Sequence, residues 1–179
     1  MSRIQHLTLL ADYNLWMNEK LYTAARQLAP DVLHADRRAF FGSIFGTLNH
    51  IAVADTLWLK RFAYHPAQFQ SLEPLRSMAA PAALDELLFA SLEQLASHRD
   101  VLDRIMLGFA QELKDADLDS LFEYKSTKGV QGCKNFYGVL MHFFNHQTHH
   151  RGQATTLFTQ LGVDVGATDL LLLLPNADE

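Results

Sequence analysis

The stretch HFFNHQTHHRGQATTLFTQLG, residues 142–162, sets four histidines inside an apolar segment that contains no proline and stops at a glycine. At about 100° per residue, Phe136, Leu140, Phe143, His150, Ala154, Leu157 and Leu161 fall in one row, the core-facing row of a helix from about Asn135 to Leu161. Gly162 can take the left-handed conformation that ends such a helix. His150 therefore points inward. His146, one turn earlier and about 40° round on the same side, has its base ~6 Å from that of His150, so both can close on one ion. His142 lies further toward the flank and His149 is turned well away, so both are weaker candidates.

Three more amphipathic segments precede this one. Leu7, Leu10, Asn14, Met17, Leu21 and Ala24 recur at helical spacing over roughly residues 5–28, and Pro30 follows. Ser43 can cap a second helix through Ile44, Thr47, Leu48, Ile51, Ala54, Leu57 and Trp58, running to about Phe62. The stretch from His65 to Pro81 holds three prolines and little periodicity, which predicts a long crossover loop with at most a turn of helix. From Ala82 to about Leu113 a third helix is supported by Leu84, Leu87, Leu88, Leu92, Leu95, Leu102, Ile105 and Phe109. Leu118–Tyr124 and Val130–Cys133 flank a polar turn ending in Gly129, and that turn can join two short strands. The expected architecture is an all-α four-helix bundle with long crossover connections and a short β-hairpin before the last helix.

Length and composition agree. A chain of 179 residues fits one domain, 1–179, large enough to stabilise a core without staples. Hydrophobic residues make up 49% and charged residues 20%, the balance of a soluble globular protein. A net charge of −5 and a pI near 6.0 argue against nucleic-acid binding, which needs a basic stripe. The one cysteine, Cys133, excludes an intrachain disulfide and a thiolate zinc finger, and fits a reducing cytoplasm. With only Lys134 as a basic neighbour, Cys133 is not read as a nucleophile. The amino terminus turns polar too soon for a secretory signal, and no stretch approaches the ~20 apolar residues of a membrane span. The run Leu170–Leu174 is expected to pack across the bundle or against a partner subunit.

His50 also sits inside an apolar helical run, on the side of Ala54 and Leu57. Three neutral imidazoles from two helices suit zinc, nickel, ferrous iron or manganese and leave a position for water or substrate. A lone core histidine is more often a hydrogen-bonded structural residue than a ligand, and two histidines four apart also occur by chance. The HExxH protease motif is absent, since Gln147 stands where its glutamate would be. Asp55 and Arg151 invite roles as a carboxylate behind the ligands and an anion-binding guanidinium, but an interhelical salt bridge is at least as good a reading of each. Tyr13, Trp16 and Trp58 could line a pocket, although aromatics at helical spacing usually belong to the core.

The segments ADYNLWMNEKLY (11–22), GSIFGTLNHIAVADTLWLKRF (42–62) and FFNHQTHHRGQATTLFTQLG (143–162), with the ending TDLLLLLP (168–175), resemble the DinB/YfiT-like family of metal-dependent enzymes. The resemblance spans nearly the whole chain, and the histidine pair followed by HRGQ is its most specific part. It implies a four-helix bundle, usually a homodimer, whose metal is held by one histidine of the second helix and two of the last. The matching positions are His50, His146 and His150. It also implies a small-molecule substrate, and the family includes transferases and isomerases that use a low-molecular-weight thiol beside many members of unassigned activity. In that setting a metal can bind the thiol as thiolate, and Arg61 or Arg151 could hold a carboxylate of thiol or substrate. His142 is the reserve ligand. Two alternatives stand beside this reading: a metal-dependent hydrolase with Glu123 or Asp55 as base, and a non-catalytic, stress-response bundle whose triad ties two helices together.

Overall fold

The computed structural model describes residues 1–176, so the last three residues of the expected domain lie outside the described residues. Four long helices dominate: α1 (Arg3–Ala25), α3 (Ile44–Phe62), α5 (Leu92–Glu112) and α7 (Phe136–Thr159). Each starts at a residue whose side chain accepts an orphan backbone N–H, namely Ser2, Ser43, Ser91 and Asn135. Such caps contribute about 1 kcal/mol each. At Ser2 the cap is reciprocal, because the Gln5 side chain accepts from the Ser2 amide at 2.7 Å. Three shorter helices fill the connections: α2 (Pro30–His34), α4 (Glu73–Ser77) and α6 (Asp115–Leu118).

Contacts between side chains fix the helix directions. Arg3 pairs with Asp115 and Asp119 just beyond the end of α5, and Arg26 pairs with Glu93 at its start, so α1 and α5 run antiparallel. His50 meets His146 while Phe62 meets Phe136, so α3 and α7 are antiparallel as well. Asp55 meets Arg99 and Phe62 meets Phe109, which makes α3 and α5 parallel. A parallel pair cannot be joined by a tight turn, and residues 63–91 carry the chain back along the bundle. The core between α3, α5 and α7 near Phe62 is rich in phenylalanine, with Phe62 touching Phe109, Phe122, Phe136 and Phe143.

The hairpin pairs β1 (Leu121–Lys125) with β2 (Gln131–Asn135), and Gly129 at φ +77° closes the turn between them. β2 begins one residue later than the sequence pattern suggests and β1 three residues later, because Leu118 ends α6. There, the Lys114 amide donates to the Asp117 side chain at 2.8 Å.

The helix expected from Ala82 begins ten residues late. Residues 82–91 instead make a turn at 84–85 and then run irregularly to Ser91, where the buried carboxamide of Asn49 on α3 takes up their backbone groups. Asn49 Nδ2 donates to the Glu86 carbonyl at 2.7 Å, and its Oδ1 accepts from the Leu88 amide at 2.9 Å. Those backbone groups would otherwise serve a helical ladder. α2 is likewise a helix that the sequence pattern did not reveal; it begins at Pro30, whose fixed φ suits a first helical turn. No helix among the described residues is long and apolar enough to cross a membrane.

Candidate metal centre

The antiparallel pairing of α3 with α7 brings His50 opposite His146 and His150. Their ligand atoms all lie within 4.8 Å of one another, and this is the group of metal-ligating side chains found among the described residues. His50 Nδ1 donates to the Leu84 carbonyl at 2.8 Å, and His150 Nδ1 donates to Gln153 Oε1, also at 2.8 Å. A proton on Nδ1 leaves the Nε2 lone pair free, so both rings are held as the tautomer a metal needs. Gln153 is itself oriented by His149, whose Nε2 lies 3.2 Å from Gln153 Nε2.

His50 Nε2 stands 3.3 Å from His146 Nε2. One proton on His146 Nε2 can bridge that gap. It also matches the ~3.3–3.4 Å edge of a tetrahedron of nitrogens at about 2.05 Å from one zinc ion. Burial lowers the pKa of His50 to about 4, helped by the nearby His150 and opposed by the hydrogen bond to Leu84. His146 is lowered to about 3, first by burial and then by its histidine neighbours. His150 is lowered too, again mainly by burial. Three imidazoles kept neutral, with two Nε2 lone pairs left free by their hydrogen bonds, fit a divalent cation.

One face of the cluster is covered. Phe41 stacks on His50, ring centroids 3.7 Å apart and 15° from parallel, and meets His150 edge-on at 5.5 Å. This phenylalanine sits in a tight turn in which the Gly42 amide donates to the Ala39 carbonyl at 2.8 Å. Gly42 adopts φ +73°, which suits glycine. The turn leans so closely on α3 that a Cβ at Gly46 would collide with the Phe41 carbonyl oxygen. The other face opens on a cavity of about 300 Å³ that His50 and His146 share with Trp58, Arg61, Leu84, Tyr124, Ser126, Thr127 and His142. No carboxylate lines it among the described residues.

The remaining sequence candidates divide between cavity and core. His142 is on the cavity wall, its ring 6.1 Å from that of His146, and is not one of the clustered three. Arg61 lies on the same wall. Asp55 is fully buried away from the cavity, accepting from Arg99 Nη1 and, at 2.9 Å, from Gln147 Nε2. Arg151 is buried as well, but it forms no ion pair among the described residues. It donates to Asn14 Oδ1 and to Thr148 Oγ1, the latter at 3.2 Å, and faces the Tyr13 ring at 5.3 Å. Burial lowers its pKa to about 10. Glu123 is an exposed strand residue off the cavity wall. Of the aromatic candidates, Trp58 lines the cavity and Tyr13 donates to the Thr168 carbonyl at 2.6 Å.

Sequence reasoning missed the Leu84 carbonyl, Phe41 and Gln153. Gln153 had a usable signal, since it stands three residues after His150 on one helix. A backbone carbonyl from a loop and an aromatic from a turn have none.

A model of the DinB family matches residues 1–178. Protein DinB of Bacillus subtilis (strain 168) is 25% identical over 168 residues, covering 92% of this chain and 91% of that protein. No solved structure gives a significant match.

Proposed function

The chain belongs to the DinB family, and from that premise we propose that it binds a divalent metal through His50, His146 and His150 and uses it as a transferase or isomerase acting with a low-molecular-weight thiol. The observation that carries the proposal is the pair of hydrogen bonds from His50 and His150 Nδ1, which leaves Nε2 lone pairs free beside His146. A bound ion would act as a Lewis acid that favours thiolate over thiol at neutral pH. The chain's own residues do the rest. Leu84 and Gln153 orient the rings, Phe41 keeps water from one face, and the cavity beside His50 and His146 receives the small molecules.

Asp55 in the core and Glu123 off the cavity wall weigh against the hydrolase reading that would use either as its base. A purely structural site would close its fourth position, whereas this cluster borders a cavity. The same reading takes the protein as a cytoplasmic homodimer. Leu171 and Leu172, exposed at the carboxy-terminal 3₁₀ turn, are candidates for its buried face, with sedimentation of Leu171→Asp as the check.

The test is elemental analysis of protein purified without a metal-affinity tag, beside a variant with all three histidines changed to Ala. Near-stoichiometric metal in the wild type alone supports the reading. If neither protein holds metal after incubation with zinc, nickel, manganese or ferrous iron, the three histidines are core residues and the proposal fails. Consumption of thiol with an electrophilic substrate, dependent on the ion, then tests the reaction class.

A further inference from the structure

Arg61 has no carboxylate partner and no hydrogen-bond acceptor among the described residues, yet it is held in place. Its guanidinium carbon lies 4.6 Å from the Trp58 ring centroid and 5.9 Å from that of Tyr124, and these two rings are themselves in contact at 5.2 Å. The neighbouring Lys60, by contrast, is fully engaged with the carbonyls of Leu75, Arg76 and Met78. Arg61 is the one permanently charged side chain on the cavity wall among the described residues. Burial lowers its pKa, as expected for a cation short of compensation. An aromatic pair already filled by a guanidinium cannot also take a cationic ligand, so the wall favours an anion.

The hairpin turn adds donors. Ser126 Oγ accepts from the amides of Lys128 and Val130 at 3.2 and 3.1 Å, which leaves its own hydrogen free, and Thr127 lines the same wall. Arg61 lies eleven residues after His50 on α3, about 16 Å along the axis, and helical side chains lean back toward the N-terminus. The guanidinium is therefore on the order of 10 Å from the imidazoles, at the far end of the same cavity.

We infer that Arg61, Ser126 and Thr127 form a carboxylate subsite, so that the cavity takes a small molecule whose carboxylate is remote from the group that meets the imidazoles. The inference deepens the proposed function and rests on it for the identity of the near end, which would be the thiol. A fork of N–H donors stiffened by two rings matches a planar carboxylate better than a flexible ammonium would.

The test compares ω-mercaptocarboxylates of increasing chain length with the matching ω-mercaptoalcohols. A Trp16→Phe background makes Trp58 the sole tryptophan, so its fluorescence reports on the Arg61 end. Cobalt(II) in the triad reports separately on the thiol end through its thiolate absorption band. The expected result is that, at the best length, the acid binds about tenfold to a hundredfold more tightly than the alcohol, as one charge-assisted contact gives. Arg61→Gln removes that preference while cobalt stoichiometry and the thiolate band persist, and Arg61→Lys restores part of it. Equal binding of acid and alcohol at every length, or a preference that survives in Arg61→Gln, overturns the subsite. If cobalt does not bind, the underlying metal reading fails, but the fluorescence comparison on metal-free protein still decides the subsite by the same two outcomes.

Discussion

Asn49→Ala isolates the link between the fold and the site. The carboxamide makes two hydrogen bonds to the 82–91 segment, and that segment carries the Leu84 carbonyl which accepts from His50 Nδ1. Glu86 is exposed, so water can replace one of the lost bonds; Leu88 is half-buried, so its amide is less easily satisfied. The expected loss of stability is therefore about 2 kcal/mol, one net hydrogen bond plus part of a desolvation penalty. The effect on metal should be of similar size. Without a fixed acceptor, His50 can rotate or switch tautomer, and loss of an orienting partner of this kind costs about 10–100-fold in metal affinity. Urea unfolding in excess chelator measures the first quantity, and competition with a chromophoric chelator measures the second. Gln153→Ala provides the comparison, because it frees His150 in the same way while removing a partly exposed contact worth under about 1 kcal/mol. If Asn49→Ala loses stability but binds metal as the wild type does, the loop does not position His50 and the role assigned to Leu84 is wrong.

Three further outcomes are expected. Asp55→Ala should lower stability by about 3–5 kcal/mol in urea, since it strips a buried guanidinium of one of its two carboxylates; a loss below about 1 kcal/mol would mean that water already compensates Arg99. The metal-free protein should lose stability as pH falls below the ordinary imidazole value of 6.5, because the unfolded chain takes up protons that His50 refuses until about pH 4 and His146 until about pH 3. Stability from these groups is complete well above 6.5, and the triple-alanine variant should show a visibly shallower acid limb, to which His65, His98, Glu112 and Asp119 still contribute. Gly46→Ala should push the Phe41 turn off His50, weakening metal binding with α3 still formed; unchanged affinity would show that the stacking does not hold the ring.

The parts of this molecule that were legible in its sequence are those set by local periodicity and by chain termini. Ser43 and Phe62 bound α3 as the pattern predicts, and Gly162 at φ +73° lies just past α7. The inward side of α7 was also readable, since Phe136, Leu140, Phe143, His150 and Ala154 are all buried. Residues 82–91 were not readable. Their leucines have helical spacing, yet Leu84 and Leu87 are exposed, and the conformation is set by Asn49 from another helix. Arg151 shows the same limit on polar residues. An interhelical salt bridge was a reasonable expectation for it, but it reaches an asparagine carbonyl instead, a choice that depends on which corner of the bundle α1 occupies.

That corner bears on the site as well. Asn14 accepts from Arg151 of α7 and donates at 2.9 Å to Asp103 of α5, while Arg99 of α5 spans Asp103 and Asp55, and Asp55 in turn accepts from Gln147 of α7. The network holds two carboxylates and two guanidiniums, so it is formally neutral although almost wholly buried. Gln147 immediately follows His146, and Arg151 immediately follows His150. Both polar anchors therefore sit about 100° round the helix from a clustered histidine, and fixing them fixes the rotation of α7 about its axis. Apolar packing alone tolerates small rotations of a helix, whereas directional hydrogen bonds to buried partners do not. The positions that make the core expensive to disrupt are thus the same ones that turn His146 and His150 toward His50.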